Sequence, residues 1–183
     1  MKIVLGSKSP RRKEILSLMG YNYEVRVSNE EEKYIGNTPI EKVTSIAKQK
    51  ADNLKVSSDE LLICADTIVV LNGMILGKPK DKDDARKMIK ALQNHQHTVY
   101  TAVVVRINER DYDFVDEATV NIKPMTDEEI EEYINTDEPY DKAGAYAIQG
   151  IFSKYILSFS GDYYTIMGLP KNKLTELFNK LGI

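Results

Sequence analysis

The sequence predicts an α/β domain built around a mixed β-sheet with flanking helices. Three observations carry that prediction. Short apolar strand patterns alternate with capped amphipathic helix patterns early in the chain. Two long strand patterns then follow one another across a polar turn, and 183 residues suffice for one full core but hardly for two. One domain over residues 1–183 is therefore expected. A formal net charge of -3 offers no electrostatic reason for a nucleic-acid or membrane surface. Cys64 is the only cysteine and lies in an apolar run, which excludes an internal disulfide and a multi-cysteine metal site. No apolar run approaches the roughly 18 residues of a membrane span, and charged residues come too early for a signal peptide. A soluble, cytoplasmic protein is expected, and a homodimer would be ordinary at this size.

The first strand is Lys2 to Gly6. Ser9 is a good helix N-cap and Pro10 suits the first turn, after which Ile15, Leu16, Leu18 and Met19 form an apolar stripe. Lys8, Arg11, Arg12 and Lys13 crowd that helix start. Basic charge is mildly unfavourable there unless the exposed N–H groups bind an anion such as phosphate; the alternative is an ordinary capped helix with solvated basic residues. Tyr21 to Val27 alternates as a strand. The run Glu30-Glu31-Glu32 is either a solvated loop or a source of a divalent-cation ligand. Thr38-Pro39-Ile40-Glu41 opens the next helix as a capping box, with Val43, Ile46, Ala47, Ala51 and Leu54 facing inward. Lys50 falls on that stripe, so it either snorkels past the core edge or points into a polar cleft.

Leu61 to Leu71 is almost wholly apolar and reads as a buried strand. Asp66 sits in its middle, sharing a face with Cys64, Ile68 and Val70, where an unpaired carboxylate would cost several kcal/mol. Asn72-Gly73 is a hairpin signal that returns the chain to Gly77-Lys78-Pro79 and offers Lys78 as a partner for the acid. Asp81 caps a helix through Ala85, Met88, Ile89 and Leu92; His95 and His97 read as loop residues. Thr98 to Ile107 and Tyr112 to Ile122 form a hairpin across Asn108–Asp111, and Thr126 to Glu129 is a second capping box. The small residues of Asp141–Gly150 permit close backbone approach, although packing explains Gln149 less readily. A strand over Tyr155–Ser160 precedes a last helix from about Tyr163 that is disturbed at Gly168-Leu169-Pro170 and resumes through Leu174, Leu177, Phe178 and Leu181.

An anion-suited helix start, a buried aspartate, a glutamate cluster and two lysines, Lys50 and Lys78, together suit a polyphosphate held with a divalent metal. Mg²⁺ prefers carboxylates and water, whereas a zinc site would want histidine or cysteine. The residues alone thus point to a phosphate-ester or anhydride enzyme.

At these positions the chain resembles the Maf family of nucleoside triphosphate pyrophosphatases. The matching segments are Ser7–Arg12, Ala65-Asp66-Thr67 with Gly77-Lys78-Pro79, Asp141–Gly150, and Gly161-Asp162-Tyr163-Tyr164 to Gly168-Leu169-Pro170. The resemblance implies a Maf/Ham1 (ITPase-like) fold with two lobes around a central cleft. It also implies metal-dependent hydrolysis of a nucleoside triphosphate to monophosphate and pyrophosphate, a house-cleaning role in the nucleotide pool. The Asp-Lys-Ala-Gly-Ala-Tyr and Gly-Asp-Tyr-Tyr versions look like the subgroup that takes dTTP and UTP. Ser7, Arg11 and Arg12 match the family's phosphate-binding loop, Lys50 and Lys78 its active-site lysines, and Asp66 the aspartate given the central catalytic role. Thr67 and Gln149 match neighbouring substrate positions, and Glu31 the glutamate before the second helix. Asp66 and Glu31 would hold Mg²⁺ or Mn²⁺. Where many members carry Ser-Gly-Arg before a histidine, this chain has Gln93-Asn94-His95-Gln96-His97, so a base or phosphate contact from that loop is not carried over. Two other classes compete: a non-catalytic nucleotide-binding regulator of septum formation, and a sugar-phosphate or nucleotidyl-transfer enzyme.

Overall fold

The structure, a computed structural model, describes residues 1–183. Its strands are β1 (Lys2–Leu5), β2 (Tyr23–Val25), β3 (Glu60–Leu71), β4 (Met74–Leu76), β5 (Gln96–Ile107), β6 (Arg110–Ile122) and β7 (Ile156–Ser160). They form one seven-stranded sheet of order β2-β1-β3-β5-β6-β7, with β4 beside β3. β1 runs parallel to β2 and β3, whereas β4 is antiparallel to β3 and β7 to β6, so the sheet is mixed as expected. The helices are α1 (Pro10–Leu18), α2 (Pro39–Asp52), α3 (Lys82–Leu92), α4 (Asp127–Ile134), α5 (Tyr163–Met167) and α6 (Lys171–Leu181). The contacts divide the chain into two compact units, and β3, β5 and β6 contribute residues to both.

The first unit comprises Met1–Thr67, Thr101–Asp116 and Gly168–Ile183. β2 is shorter than the alternation from Tyr21 to Val27 predicts, because it pairs only with Ile3, Val4 and Leu5 of the four-residue β1. α1 buries Ile15 and Leu16, but Leu18 is exposed rather than part of the stripe. α2 begins with the expected capping box between Thr38 and Glu41, and buries Val43, Ile46, Ala47 and Ala51. At its other end Arg106 donates to the Ala51 carbonyl at 3.0 Å and to Asp52 and Asp111, adding a second donor to a last-turn carbonyl and tying α2 to the β5–β6 hairpin. The Phe178 ring of α6 meets Tyr21 edge to face at 5.2 Å.

The second unit comprises Ile68–Tyr100 and Glu117–Met167. Asp81 and Thr126 cap α3 and α4 as predicted, and the two helices are linked by Arg86–Glu131 and Lys90–Asp127 ion pairs. Asn72 and Gly73 take φ of 50° and 79° in the expected two-residue turn before β4. His97 is not a loop residue. The Ile122 N–H donates to the His95 carbonyl at 3.1 Å, and this continuation of the ladder draws Gln96 and His97 into β5. Asn108 and Glu109, with φ of 48° and 62°, already close the next hairpin, so β6 starts at Arg110. No helix is long and apolar enough to cross a membrane.

Candidate active site

Strand register builds the first half of the site. Leu5, the last residue of β1, lies opposite Ile63 of β3, and Gly6 N–H donates to the Ile63 carbonyl at 2.8 Å. The residues after Gly6 therefore leave the sheet alongside Cys64–Thr67, at the carboxyl end of a parallel strand pair, where ligands of open α/β sheets bind. Ser7 is buried there, and its hydroxyl oxygen accepts from Ser9 N–H at 3.2 Å and from Arg12 Nη1 at 3.1 Å. Ser9 occupies the N-cap position but makes no side-chain cap, so Ser7 organises the turn instead.

Arg12 is the hub of this loop. Besides Ser7 it donates from Nη2 to Thr67 Oγ1 at 3.2 Å and from Nε to the Gly168 carbonyl at 2.8 Å. Thr67 Oγ1 in turn lies 2.9 Å from the hydroxyl of buried Thr101. Gly168 has φ of 113°, a conformation that favours glycine, and a Cβ there would lie a tight 3.2 Å from Thr67 Oγ1. Burial lowers the Arg12 pKa, while the nearby Asp66 charge opposes that shift. With a donor engaged in each direction, Arg12 frames the loop and has fewer N–H groups left for a ligand. Arg11, half-buried in the first turn of α1, places a second positive charge near Arg12.

Asp66 finds its partner on α2. Lys50 Nζ lies 2.7 Å from Asp66 Oδ1, with the side chains 23% and 17% exposed, so Lys50 reaches a polar site rather than snorkelling to solvent. Lys78 is not that partner: it is exposed on the loop after β4 and forms no ion pair. The glutamate-rich loop is anchored to the same helix. Gln49 accepts from Lys33 N–H at 2.9 Å and donates to the Lys33 carbonyl at 2.7 Å, while Ser45 accepts from Ile35 N–H at 3.0 Å. Tyr34 on that loop has its pKa raised by burial and by the Asp66 charge. Glu31 itself is exposed.

No three His, Cys, Asp or Glu side chains gather into a closed metal cage. Mg²⁺ needs less: one or two carboxylates suffice when substrate phosphates and water complete its shell. Lys50 takes Asp66 Oδ1 and leaves Oδ2 to other partners, so the oxygen donors fit a hard cation.

Lys78 and Gln149 belong to the second unit, and their backbones are held firmly. The Gly144 N–H donates to the carbonyl of Gly77, next to Lys78, at 3.0 Å. Gln149 is exposed, between buried Ile148 and Gly150. Ile151 N–H and Phe152 N–H donate to the Glu138 carboxylate at 2.7 and 3.0 Å. Tyr133 O–H stands 2.9 Å from Glu138 Oε2 and 3.0 Å from the Ala145 carbonyl. Thr101, Gln49, Tyr34 and Glu138 were not singled out from the sequence. Thr101 offered a signal, a polar residue before the apolar run Ala102–Val105, but Gln49, Tyr34 and Glu138 lie in polar stretches where nothing local marks them out.

A family model described as Maf-like protein matches residues 2–181. The dTTP/UTP pyrophosphatase of Thermoanaerobacter sp. is 44% identical over 191 residues, covering 98% of this chain and 96% of that protein. The dTTP/UTP pyrophosphatase of Lachnoclostridium phytofermentans is 44% identical over 190 residues, covering 100% and 96%. Among solved structures, the Staphylococcus aureus Ham1 protein aligns with a TM-score of 0.51 at 14% identity, covering 100% of both chains. A HAM1 protein from Coxiella burnetii gives 0.54 at 14% identity, covering 98% and 99%. These two likenesses show the Ham1-type fold. The full-length sequence match, with the Ser7–Arg12 loop and Asp66 brought to one end of the β1–β3 pair, establishes that the chain belongs to the Maf family.

Proposed function

We propose that the protein is a nucleoside triphosphate pyrophosphatase that hydrolyses dTTP and UTP to the monophosphate and pyrophosphate. The observation that supports this best is the parallel β1–β3 pair. It brings a basic loop, Ser7 to Arg12, beside a strand aspartate already paired with Lys50. The names of the relatives supply the substrate class.

In this reading Ser7, Arg11 and the remaining Arg12 donors bind phosphate oxygens, and Thr67 and Gln149 orient the nucleotide. Lys50 and Lys78 offset the charge that builds on the departing pyrophosphate. Asp66 orients the water that attacks the α-phosphorus and takes its proton. Asp66 with Glu31 would hold Mg²⁺ or Mn²⁺, which when bound polarises phosphoryl oxygens and neutralises their charge. A cytoplasmic place in nucleotide-pool cleaning suits that substrate class, and a homodimer is the assembly to test by sedimentation.

The experiment is pyrophosphate release from UTP and dTTP with and without Mg²⁺, with chromatography of the nucleotide product. Release of pyrophosphate and monophosphate, lost by about 10²–10⁴-fold in a folded Asp66→Asn variant, is expected. Binding without turnover would favour a regulator, a product other than free monophosphate a transferase, and near-normal turnover in Asp66→Asn would sink the role of Asp66.

A further inference from the structure

Glu138 is a half-buried carboxylate with no cation on it; its partners are all hydrogen-bond donors of its own unit. Oε1 accepts from Ile151 N–H at 2.7 Å, and Oε2 from Phe152 N–H at 3.0 Å and Tyr133 O–H at 2.9 Å. Two of these donors are the first N–H groups of the 3₁₀ turn Ile151–Tyr155, so the carboxylate caps that turn from a distant part of the chain. The backbone also passes unusually near: a Cβ on Gly150 would lie 1.7 Å from Glu138 Oε1. A side chain there would push the carboxylate off its donors, although the φ of -96° is open to any residue.

The same device fixes the other side of the segment. Tyr133 O–H, facing both Glu138 and the Ala145 carbonyl, ties the capped turn to Ala145. Ala145 is held at φ of 62°, a conformation uncommon for a residue with a Cβ and kept only where its surroundings impose it. Tyr146 adds a third tie through its hydroxyl, 2.6 Å from His97 Nε2. Between these anchors stands Gln149, exposed and with its side chain engaged by no other residue. Its place is set wholly by the backbone on which it is carried.

We propose that Glu138 is a positioning residue for substrate binding, its carboxylate fixing the Gly150-Ile151-Phe152 backbone so that Gln149 meets the nucleotide already ordered. The proposal rests on the reading of Gln149 as a nucleotide contact. Ordering the segment in the free protein removes an entropic cost that binding would otherwise carry, so its loss appears in KM rather than in kcat.

The test measures kcat and KM for UTP with Mg²⁺ in wild type, Glu138→Gln, Tyr133→Phe, Gln149→Ala and the Glu138→Gln/Gln149→Ala double variant. Glu129→Ala, which removes the side-chain acceptor of the α4 capping box, serves as a control for general loosening of the same unit. An amide offers one acceptor oxygen where two are used, so Glu138→Gln should raise KM about tenfold with kcat within about twofold. Tyr133→Phe, which removes only the hydroxyl, should raise KM in the same direction and carries the test if Glu138→Gln fails to fold. Adding Glu138→Gln to Gln149→Ala should raise KM no further. The proposal is overturned if folded Glu138→Gln or, in its stead, Tyr133→Phe keeps the wild-type KM, if Glu129→Ala raises KM equally, or if the effects of Glu138→Gln and Gln149→Ala multiply. A Gln149→Ala variant with unchanged KM removes the contact itself, and the proposal with it. A wild type that does not hydrolyse UTP overturns the functional reading before any substitution is made.

Discussion

Lys50 Nζ and Asp66 Oδ1 stand 2.7 Å apart, joining an α2 lysine to the aspartate of the central strand β3. The pair resolves the cost of placing a carboxylate in an apolar strand, since a charge-assisted hydrogen bond compensates part of its lost hydration. It also leaves an acid and an amine together beside the Ser7–Arg12 loop.

A double-mutant cycle with Lys50→Met and Asp66→Asn, read by urea unfolding, should return a coupling of about 1–2 kcal/mol. Both side chains are less than a quarter exposed, so the pair is worth more than a surface ion pair. A coupling near zero would show that the contact contributes nothing to the fold.

Lys78 should behave oppositely, because it forms no ion pair within the protein. Lys78→Ala should lower kcat by about 10²-fold, as expected for a donor to transition-state charge, while unfolding free energy changes by less than about 0.5 kcal/mol. Loss of stability without loss of rate would reverse its assignment.

Arg12→Lys keeps the charge but not the fork that reaches Ser7, Thr67 and Gly168 together. Leaving at least one of these acceptors unmet should cost about 2 kcal/mol in urea unfolding. A variant as stable as wild type would show that Arg12 does not frame the loop.

His97 gives the protein an acid limit. It is 3% exposed, its Nδ1 has no hydrogen-bond partner, and burial pushes its pKa down to about 4 from the ordinary 6.5. The unfolded chain takes up a proton near pH 6.5 that the folded chain resists. Stability is therefore full above that pH and falls as pH drops from 6.5 towards 4, by roughly 3 kcal/mol. In His97→Gln, which keeps a polar partner for Tyr146 without titrating, unfolding midpoints over that range should flatten by one proton's worth of slope.

Much of this was legible from local chemistry. Both capping boxes, the Asp81 cap, the Asn72-Gly73 turn and the break between α5 and α6 were readable because each rests on residues within a few positions of one another. Asp66 stood out because its surroundings along one strand were already visible. The partner of Asp66 was not legible: the hairpin pointed to Lys78, and the docking of α2 brings Lys50 instead. Likewise the strand state of His97 depends on a ladder bond from Ile122, and the Arg12 bond to Gly168 closes over 156 residues.

By itself, then, the sequence determined the element types, the apolar faces and the chemical inventory of the site, since these follow from periodicity, capping and composition. Only the tertiary structure decided which of those groups meet. Strand register brought Ser7 and Thr67 both within reach of Arg12, helix docking gave Asp66 to Lys50, and the Glu138 carboxylate closed on the Ile151 and Phe152 N–H groups. Each of these contacts joins residues far apart in the chain, and hydrogen-bond geometry selects among partners that composition leaves equivalent.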